Sequence, residues 1–227
     1  MNREPRTIYL IRHGKTQLPE DERRYIGHFD VPLDETGVEQ ARCLQQRLVG
    51  AHITAAYCSD LSRSRRTAEI IVNDKKIPIL ARRDLREIHL GEWEGCTFVD
   101  VEQRFPEEFR KRGSDIVHYR VPAGESFDAC SKRVLTAFQD ILEAATGNIL
   151  IVGHAGVNRM ILCHIMGVPL QDLFKIQQEY GCMSVIQESL AGLQVIMKVN
   201  NCDELSHAKP LSSNCADEKR HVEPMDK

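Results

Sequence analysis

Two short apolar runs, at residues 8–11 and 149–152, constrain the possible folds most strongly. Both runs consist of residues that favour strands, and each predicts a strand buried inside a sheet. Further strand-like runs at 53–58 and 77–80 alternate with segments in which apolar residues recur at helical spacing. This alternation predicts an α/β fold: a three-layer α/β/α sandwich in which helices flank a mostly parallel central sheet.

The helical segments have recognisable beginnings. Asp34 and Ser62 are the predicted N-caps of the first two helices, because their side chains can accept a hydrogen bond from the first helical turn. A long amphipathic helix is predicted from about residue 126 to residue 145, and another helix follows the second apolar run. Three later runs predict closing strands or hairpins: 174–176, 183–186 and 193–197.

Two stretches depart from this pattern. Residues 81–124 are rich in charged and aromatic residues, glycine and proline, which predicts an inserted, lid-like segment. Residues 201–227 are polar and lack periodicity, which predicts a disordered tail. We therefore expect one domain over residues 1–200.

The composition narrows the classes of function. The chain has 227 residues and a formal net charge of −3 at pH 7, which does not support a nucleic-acid partner. There is no apolar stretch of membrane-spanning length and no signal-peptide pattern, so we expect a cytoplasmic protein without a membrane partner. The eight cysteines include no Cys-x-x-Cys pair. We therefore expect reduced thiols and no bound metal.

The most informative residues lie where the two apolar runs end. The first run leads to Arg12, His13 and Gly14, and the second leads to His154. Because the carboxyl ends of parallel strands meet at one edge of a sheet, the two histidines can meet at one site. Arg12 offers a planar fork for phosphate oxygens, neutral His13 a nucleophile, and Gly14 room for close approach of a ligand. The hydroxyl group of Thr16 lies within reach.

Two further segments supply groups that phosphate chemistry needs. Arg63 is at the start of a predicted helix, where backbone N–H groups favour an anion; Arg65 and Arg66 are expected farther out. Transfer of a phosphoryl group to histidine leaves an alkoxide, which requires a proton donor. Glu87 is the candidate acid, with His89 as the alternative donor or a substrate contact.

Four short motifs, in order along the chain, resemble those of the histidine phosphatase superfamily, also called the phosphoglycerate mutase-like family. They are Arg12-His13-Gly14, Ser59-Asp60-Leu61-Ser62-Arg63, Leu85-Arg86-Glu87 and Gly153-His154. The resemblance extends from about residue 7 to residue 199. It implies a phosphate monoester hydrolase that works through a phosphohistidine, with a small-molecule phosphate ester as partner and no cofactor.

The resemblance also implies a role for each of five catalytic residues. His13 becomes phosphorylated, while Arg12, Arg63 and His154 bind the phosphoryl group. Glu87 protonates the leaving group and then acts as the base for water. Two departures from the family pattern do not affect these residues. Lys15 replaces a frequent glutamate and is expected to point to solvent, and Ser64 replaces a frequent alanine without expected consequence.

The loop at residues 24–33 is similar to the early loop of α-ribazole phosphatases. This similarity implies that Tyr25 and Gly27 contact substrate and that the substrate is a small metabolite such as α-ribazole 5′-phosphate. The same residues also fit a plain loop with a turn at 30–34. The assembly could be a homodimer.

Three other functions remain as alternatives. They are a cofactor-dependent phosphoglycerate mutase, a sugar bisphosphatase and a non-catalytic binder of phosphorylated ligands. The compact segment 81–124 disfavours the mutase. The presence of all five core residues disfavours the binder.

Overall fold

The computed structural model describes residues 5–18 and 22–199; the tail predicted at 201–227 lies outside the described residues. The strands are β1 (Arg6–Arg12), β2 (Ile53–Ser59), β3 (Ile79–Arg82), β4 (Asn148–Gly153), β5 (Met183–Ser189) and β6 (Gly192–Val199). The α-helices are α1 (Glu35–Arg47), α2 (Ser62–Val72), α3 (Phe98–Arg104), α4 (Pro106–Ser114), α5 (Phe127–Ala144) and α6 (Ala155–Met166). Three short 3₁₀ helices are Arg83–Leu85, Gly91–Trp93 and Leu170–Lys175.

The strands form one mixed sheet in the order β3-β2-β4-β1-β5-β6. The first four strands along the chain pair in parallel, and β5 and β6 add antiparallel at one edge. The predicted mostly parallel α/β fold is therefore confirmed. The order also places β1 and β4 next to each other in the middle of the sheet, and both strands lead directly to the predicted site.

The sheet has an apolar cluster on each face, which explains the uninterrupted apolar runs. Side chains alternate between the two faces of a strand. In β1, Ile8 and Leu10 pack in the cluster that contains α5 and α6 residues. Tyr9 and Ile11 pack in the opposite cluster, which contains residues of α1 and α2. A strand buried on both sides needs apolar residues at every position, as expected for parallel sheets.

The predicted helix beginnings agree with the structure in part. The Asp34 carboxylate accepts a hydrogen bond of 2.7 Å from the Gly37 N–H, which confirms this N-cap. The N-cap predicted at Ser62 is wrong, because α2 begins at that residue and Leu61 takes the N-cap position. The Ser62 hydroxyl instead donates to Asp30 Oδ1 at 2.8 Å. This contact links α2 to the loop at residues 24–33.

The strand predicted at residues 174–176 is also wrong. Residues 174 and 175 belong to the 3₁₀ helix Leu170–Lys175, which follows Pro169, and Ile176 is the C-cap of that helix. Proline fixes its own φ and favours the start of a helical turn, which outweighs the weak β signal of three residues. The other two closing strands are confirmed as β5 and β6.

The segment 81–124 packs on the core of the domain. It contains α3 and α4, and it buries Leu85, Trp93 and Val101 in the same apolar cluster as α5 and α6. A capping box at Thr97 and Asp100 fixes the beginning of α3. These contacts hold the segment above the carboxyl end of the sheet, where it lines the cavity described below.

Candidate active site

The pairing of β1 with β4 brings the two predicted histidines together. Arg12 lies opposite Gly153 in the parallel register, so the next residue of each strand emerges at the same edge of the sheet. The His13 N–H donates to the Gly153 carbonyl at 3.1 Å. The rings of His13 and His154 stand edge to face, with their centroids 5.1 Å apart.

The His13 ring is fixed in one tautomer by its own backbone. Its Nδ1 lies 2.7 Å from the Gly14 carbonyl oxygen, which can only accept a hydrogen bond, so Nδ1 carries the proton. In the neutral ring Nε2 therefore has a free lone pair. Burial, and then the nearby charges of Arg63 and Arg12, hold the pKa of His13 well below its usual value. A neutral imidazole of this kind can act as a nucleophile.

His154 has a different environment. Its side chain is completely buried, and neither ring nitrogen has a protein partner among the described residues. Burial, followed by the charge of Arg63, lowers its pKa well below the usual value. A buried neutral imidazole has one N–H, which can donate to an oxygen bound beside His13.

Arg63 is held by the loop at residues 24–33. It lies in the first turn of α2 and is only 1% exposed. Its Nη1 donates to the Phe29 carbonyl at 3.0 Å, and its Nη2 donates to the Gly27 carbonyl at 2.8 Å. Arg65 and Arg66 are instead exposed and pair with Glu69 in the same helix.

Arg12 is held by the segment that precedes β5. Its Nη1 donates to the Gln178 carbonyl, and its guanidinium carbon lies 3.8 Å from the centre of the Tyr180 ring. Both Arg12 and Arg63 line the cavity into which His13 opens. Two guanidinium groups held by protein contacts can bind a phosphate without rearranging.

The Glu87 carboxylate is held by two backbone donors. Its Oε2 accepts from the Gly156 N–H in the first turn of α6, and its Oε1 accepts from the Ile88 N–H, both at 3.0 Å. The backbone carbonyl of Glu87 accepts a further hydrogen bond of 2.8 Å from His28 Nε2. Glu87 lines the same cavity as His13, so it can exchange a proton with a group bound there.

We expect Gly156→Ala to impair catalysis by displacing Glu87. A Cβ atom at this position would lie 2.5 Å from Glu87 Oε1. A displacement of about 1 Å in a reacting group lowers a rate by roughly 100-fold. The measurement is kcat for propyl phosphate, whose alcohol needs a proton donor when it leaves.

Gly113→Ala is the matched control for this prediction. A Cβ atom there would meet nothing within 4 Å, so turnover should be unchanged. Wild-type turnover of propyl phosphate by Gly156→Ala would contradict the placement of Glu87 as the proton donor.

The predicted substrate contacts fall into two groups. Tyr25 and Gly27 line the cavity. The Thr16 hydroxyl is buried without a partner among the described residues, and the His89 ring stacks on His28 at 4.6 Å. Neither Thr16 nor His89 is part of the cavity wall.

The side chain of Glu94 connects the loop at residues 24–33 to the segment 81–124. Glu94 Oε1 accepts hydrogen bonds from the His28 N–H at 2.7 Å and from the Leu90 N–H at 3.1 Å. Gly27, with a φ of +49°, approaches this oxygen so closely that a Cβ atom would lie 2.4 Å from it. The contacts of Glu94 therefore fix the loop whose carbonyl groups hold Arg63.

Gly14 packs against α1. A Cβ atom at Gly14 would lie 2.4 Å from the Gly37 carbonyl oxygen in α1. Glycine is thus required there by the close packing of α1, whereas the sequence suggested close approach of a ligand. Lys15, one of the two departures, lies with its Nζ 3.7 Å from Asp34 Oδ2 and does not line the cavity.

The second departure, Ser64, connects two strand ends. Its hydroxyl donates to the Val152 carbonyl at 2.7 Å and accepts from the Ser59 N–H at 3.2 Å. An alanine would make neither bond. Ser64 therefore helps to hold β2 against β4 beside the two histidines.

Sequence reasoning missed Tyr180, which packs against both Arg12 and His13. Its ring centroid lies 5.6 Å from that of His13. The residue comes shortly before β5, which runs antiparallel to β1. The beginning of β5 therefore lies at the same edge of the sheet as the end of β1. An aromatic residue before an antiparallel neighbour of β1 is the signal that could have identified it.

The cavity has a volume of about 320 Å³, which is suitable for a small phosphorylated molecule. Besides the residues above, it is lined by groups that the sequence did not suggest: Arg24, Phe98, Arg112, Phe127, Arg159 and Phe174. The many guanidinium groups favour an anionic ligand.

Within residues 5–18 and 22–199, no group of three or more His, Cys, Asp or Glu side chains could hold a metal ion. The helices in these ranges include none with the length and apolar character of a membrane-spanning segment.

The chain is similar to curated proteins over most of its length. It is 32% identical over 197 residues to the adenosylcobalamin/alpha-ribazole phosphatase of Escherichia coli, which covers 83% of this chain and 94% of that protein. It is also 37% identical over 158 residues to phosphoglycerate mutase-like protein 4 of Arabidopsis thaliana, with 68% of each chain covered.

Solved structures and a family model agree with these similarities. The crystal structure of a putative alpha-ribazole-5′-P phosphatase from Escherichia coli superposes with a TM-score of 0.79 at 31% identity, covering 86% of this chain and 96% of that chain. The model of the histidine phosphatase superfamily (branch 1) matches residues 8–201. The protein therefore belongs to the histidine phosphatase superfamily and is a phosphatase.

Proposed function

We propose that the protein hydrolyses phosphate monoesters of small metabolites through a phosphohistidine at His13. The observation that carries this proposal is the His13 ring, whose Nδ1 is bonded to the Gly14 carbonyl, which leaves Nε2 free, in a cavity that Arg12 and Arg63 also line. Burial and these two charges lower the pKa of His13, which favours the neutral ring. In the first step Nε2 attacks phosphorus, the ester P–O bond breaks, and Glu87 gives its proton to the departing alkoxide. In the second step Glu87 takes a proton from water, which attacks the phosphohistidine and releases inorganic phosphate.

The remaining charged groups lower the barrier by binding the phosphoryl oxygens. Arg12 and Arg63 neutralise the negative charge that is spread over these oxygens in the transition state. The His154 N–H adds a donor from the opposite histidine. Because contacts with the protein already fix both guanidinium groups, little reorganisation accompanies the reaction.

We further propose α-ribazole 5′-phosphate as a substrate. The name of the Escherichia coli relative supports this choice, as does the loop at residues 24–33, from which Tyr25 and Gly27 reach the cavity. The segment 81–124 acts as a lid over the bound ester, since it contributes Phe98 and Arg112 to the wall.

The remaining proposals concern partners and location. We propose that the binding partner is a small phosphate ester and that the protein binds neither nucleic acid nor a membrane. A homodimer and a cytoplasmic location stay predictions, which light scattering and cell fractionation can check.

A substrate panel tests the proposed function. It includes α-ribazole 5′-phosphate, phosphoglycerates with and without bisphosphate, fructose bisphosphates, nucleotides and phosphopeptides, and it measures released inorganic phosphate. We expect the highest kcat/KM for α-ribazole 5′-phosphate. Interconversion of phosphoglycerates that requires bisphosphate would show a mutase instead, and binding without turnover of any ester would show a non-catalytic binder.

A further inference from the structure

Two large apolar side chains that line the cavity are exposed to solvent. Phe98 is 40% exposed and Phe174 is 52% exposed, and both line the cavity into which His13 opens. Covering apolar surface that is exposed to water stabilises a complex. The other large apolar side chains that are exposed among the described residues lie outside this cavity.

Each of these rings is supported from behind by a buried ring. Phe98, the first residue of α3, stacks on Tyr25 with a centroid distance of 4.2 Å and an angle of 21°. Phe174, from the 3₁₀ helix before β5, stands edge to face on Phe127 at 5.7 Å. The supporting contacts hold both rings in place before a ligand arrives, which lowers the entropic cost of binding.

Arg112 joins the two halves of this surface. Its guanidinium carbon lies 5.6 Å from the centre of the Tyr25 ring and 5.7 Å from that of Phe127. The Arg112 guanidinium makes no hydrogen bond or ion pair with another described residue, so its planar group is available as a stacking surface. We call this surface the aromatic wall, and it consists of Tyr25, Phe98, Arg112, Phe127 and Phe174.

We propose that the aromatic wall binds an aromatic ring on the alcohol part of the substrate, so that the enzyme prefers phosphate monoesters with a planar apolar leaving group. This inference rests on the proposed function, because Arg12 and Arg63 must hold the phosphate for the alcohol to lie against the wall. The phosphate site then supplies the chemistry, and the wall supplies the preference among esters.

The test compares esters whose alcohols need the same help from a proton donor. Phenethyl phosphate and propyl phosphate are both primary alkyl esters, but only the first carries an aromatic ring. Stacking and burial of that ring predict a kcat/KM about tenfold higher for phenethyl phosphate. Cyclohexylethyl phosphate, which is bulky but not planar, should fall between the two.

Variants of the wall should remove this preference selectively. We expect Phe98→Ala and Phe174→Ala each to lower kcat/KM for phenethyl phosphate by roughly tenfold and to lower kcat/KM for propyl phosphate much less, so that the ratio between the two esters falls. Phe98→Leu keeps the apolar bulk and serves if the alanine variant does not fold. Leu190→Ala, in the exposed turn between β5 and β6, is the control and should change neither ester.

Two results would overturn this inference. The first is equal kcat/KM for phenethyl and propyl phosphate, or equal losses on both in the wall variants. The second is a preference for carboxyethyl phosphate that Arg112→Leu abolishes and Phe98→Ala does not, which would show that Arg112 binds an anion. Failure to hydrolyse any ester would instead overturn the proposed function itself.

Discussion

His13→Ala is expected to abolish turnover, with kcat for nitrophenyl phosphate reduced by roughly 10⁴-fold or more. The reason is the loss of the only group that the proposal allows to attack phosphorus. Arg12 and Arg63 are untouched by the substitution, so inorganic phosphate should still inhibit binding of substrate analogues. The measurement is steady-state turnover, together with labelling of the protein by a radioactive phosphate ester.

The matched control for this prediction is His164→Ala. His164 lies in the last turn of α6 and is exposed, outside the cavity wall. This variant should keep wild-type turnover. It should also still be labelled by the radioactive ester, and the label should be released by acid, as expected for a phosphohistidine. Turnover by His13→Ala close to that of the wild type would show that another nucleophile, or water directly, attacks the ester.

Glu87→Gln should separate substrates by the basicity of their leaving groups. We expect kcat for propyl phosphate to fall by about 10²–10⁴-fold, the usual contribution of a general acid. Nitrophenolate leaves without a proton, so the first step with nitrophenyl phosphate should be nearly unaffected. The measurement is the burst of nitrophenol alongside steady-state turnover of both esters.

His89→Ala is the comparison for the Glu87 variant, because His89 was the alternative proton donor. The structure places His89 outside the cavity wall, so this variant should retain turnover of both esters. An equal loss in the first step with both esters in Glu87→Gln, or a loss in His89→Ala that is confined to propyl phosphate, would move the role of acid away from Glu87.

The central part of the site could be predicted from local sequence. His13 and His154 each follow a strand that is apolar at every position, and such strands lie in the middle of a parallel sheet. Once the strands are parallel neighbours, their last residues must emerge at one edge. The inward position of Arg63 follows in the same way from its place in the first turn of a helix.

The aromatic wall could not be predicted in this way. Arg112 lies near Tyr25 and Phe127 only because α4 packs over the loop at residues 24–33 and the beginning of α5. The spacing of apolar residues predicts helices and strands, but it does not predict contacts between segments that are distant in the sequence. Phe174 was assigned to a strand for a similar reason, since three β-prone residues carry less information than the proline before them.

The hydrogen bonds of Glu94 have a consequence for how such an enzyme can evolve. They tie the loop that holds Arg63 to the loop that carries Glu87, and His28 bonds to both Glu94 and Glu87. A mutation in this network would therefore impair phosphate capture and proton transfer together, and selection would remove it. Phe98 and Phe174 take no part in the network, so a lineage can exchange these rings and acquire new substrates while its chemistry is inherited intact.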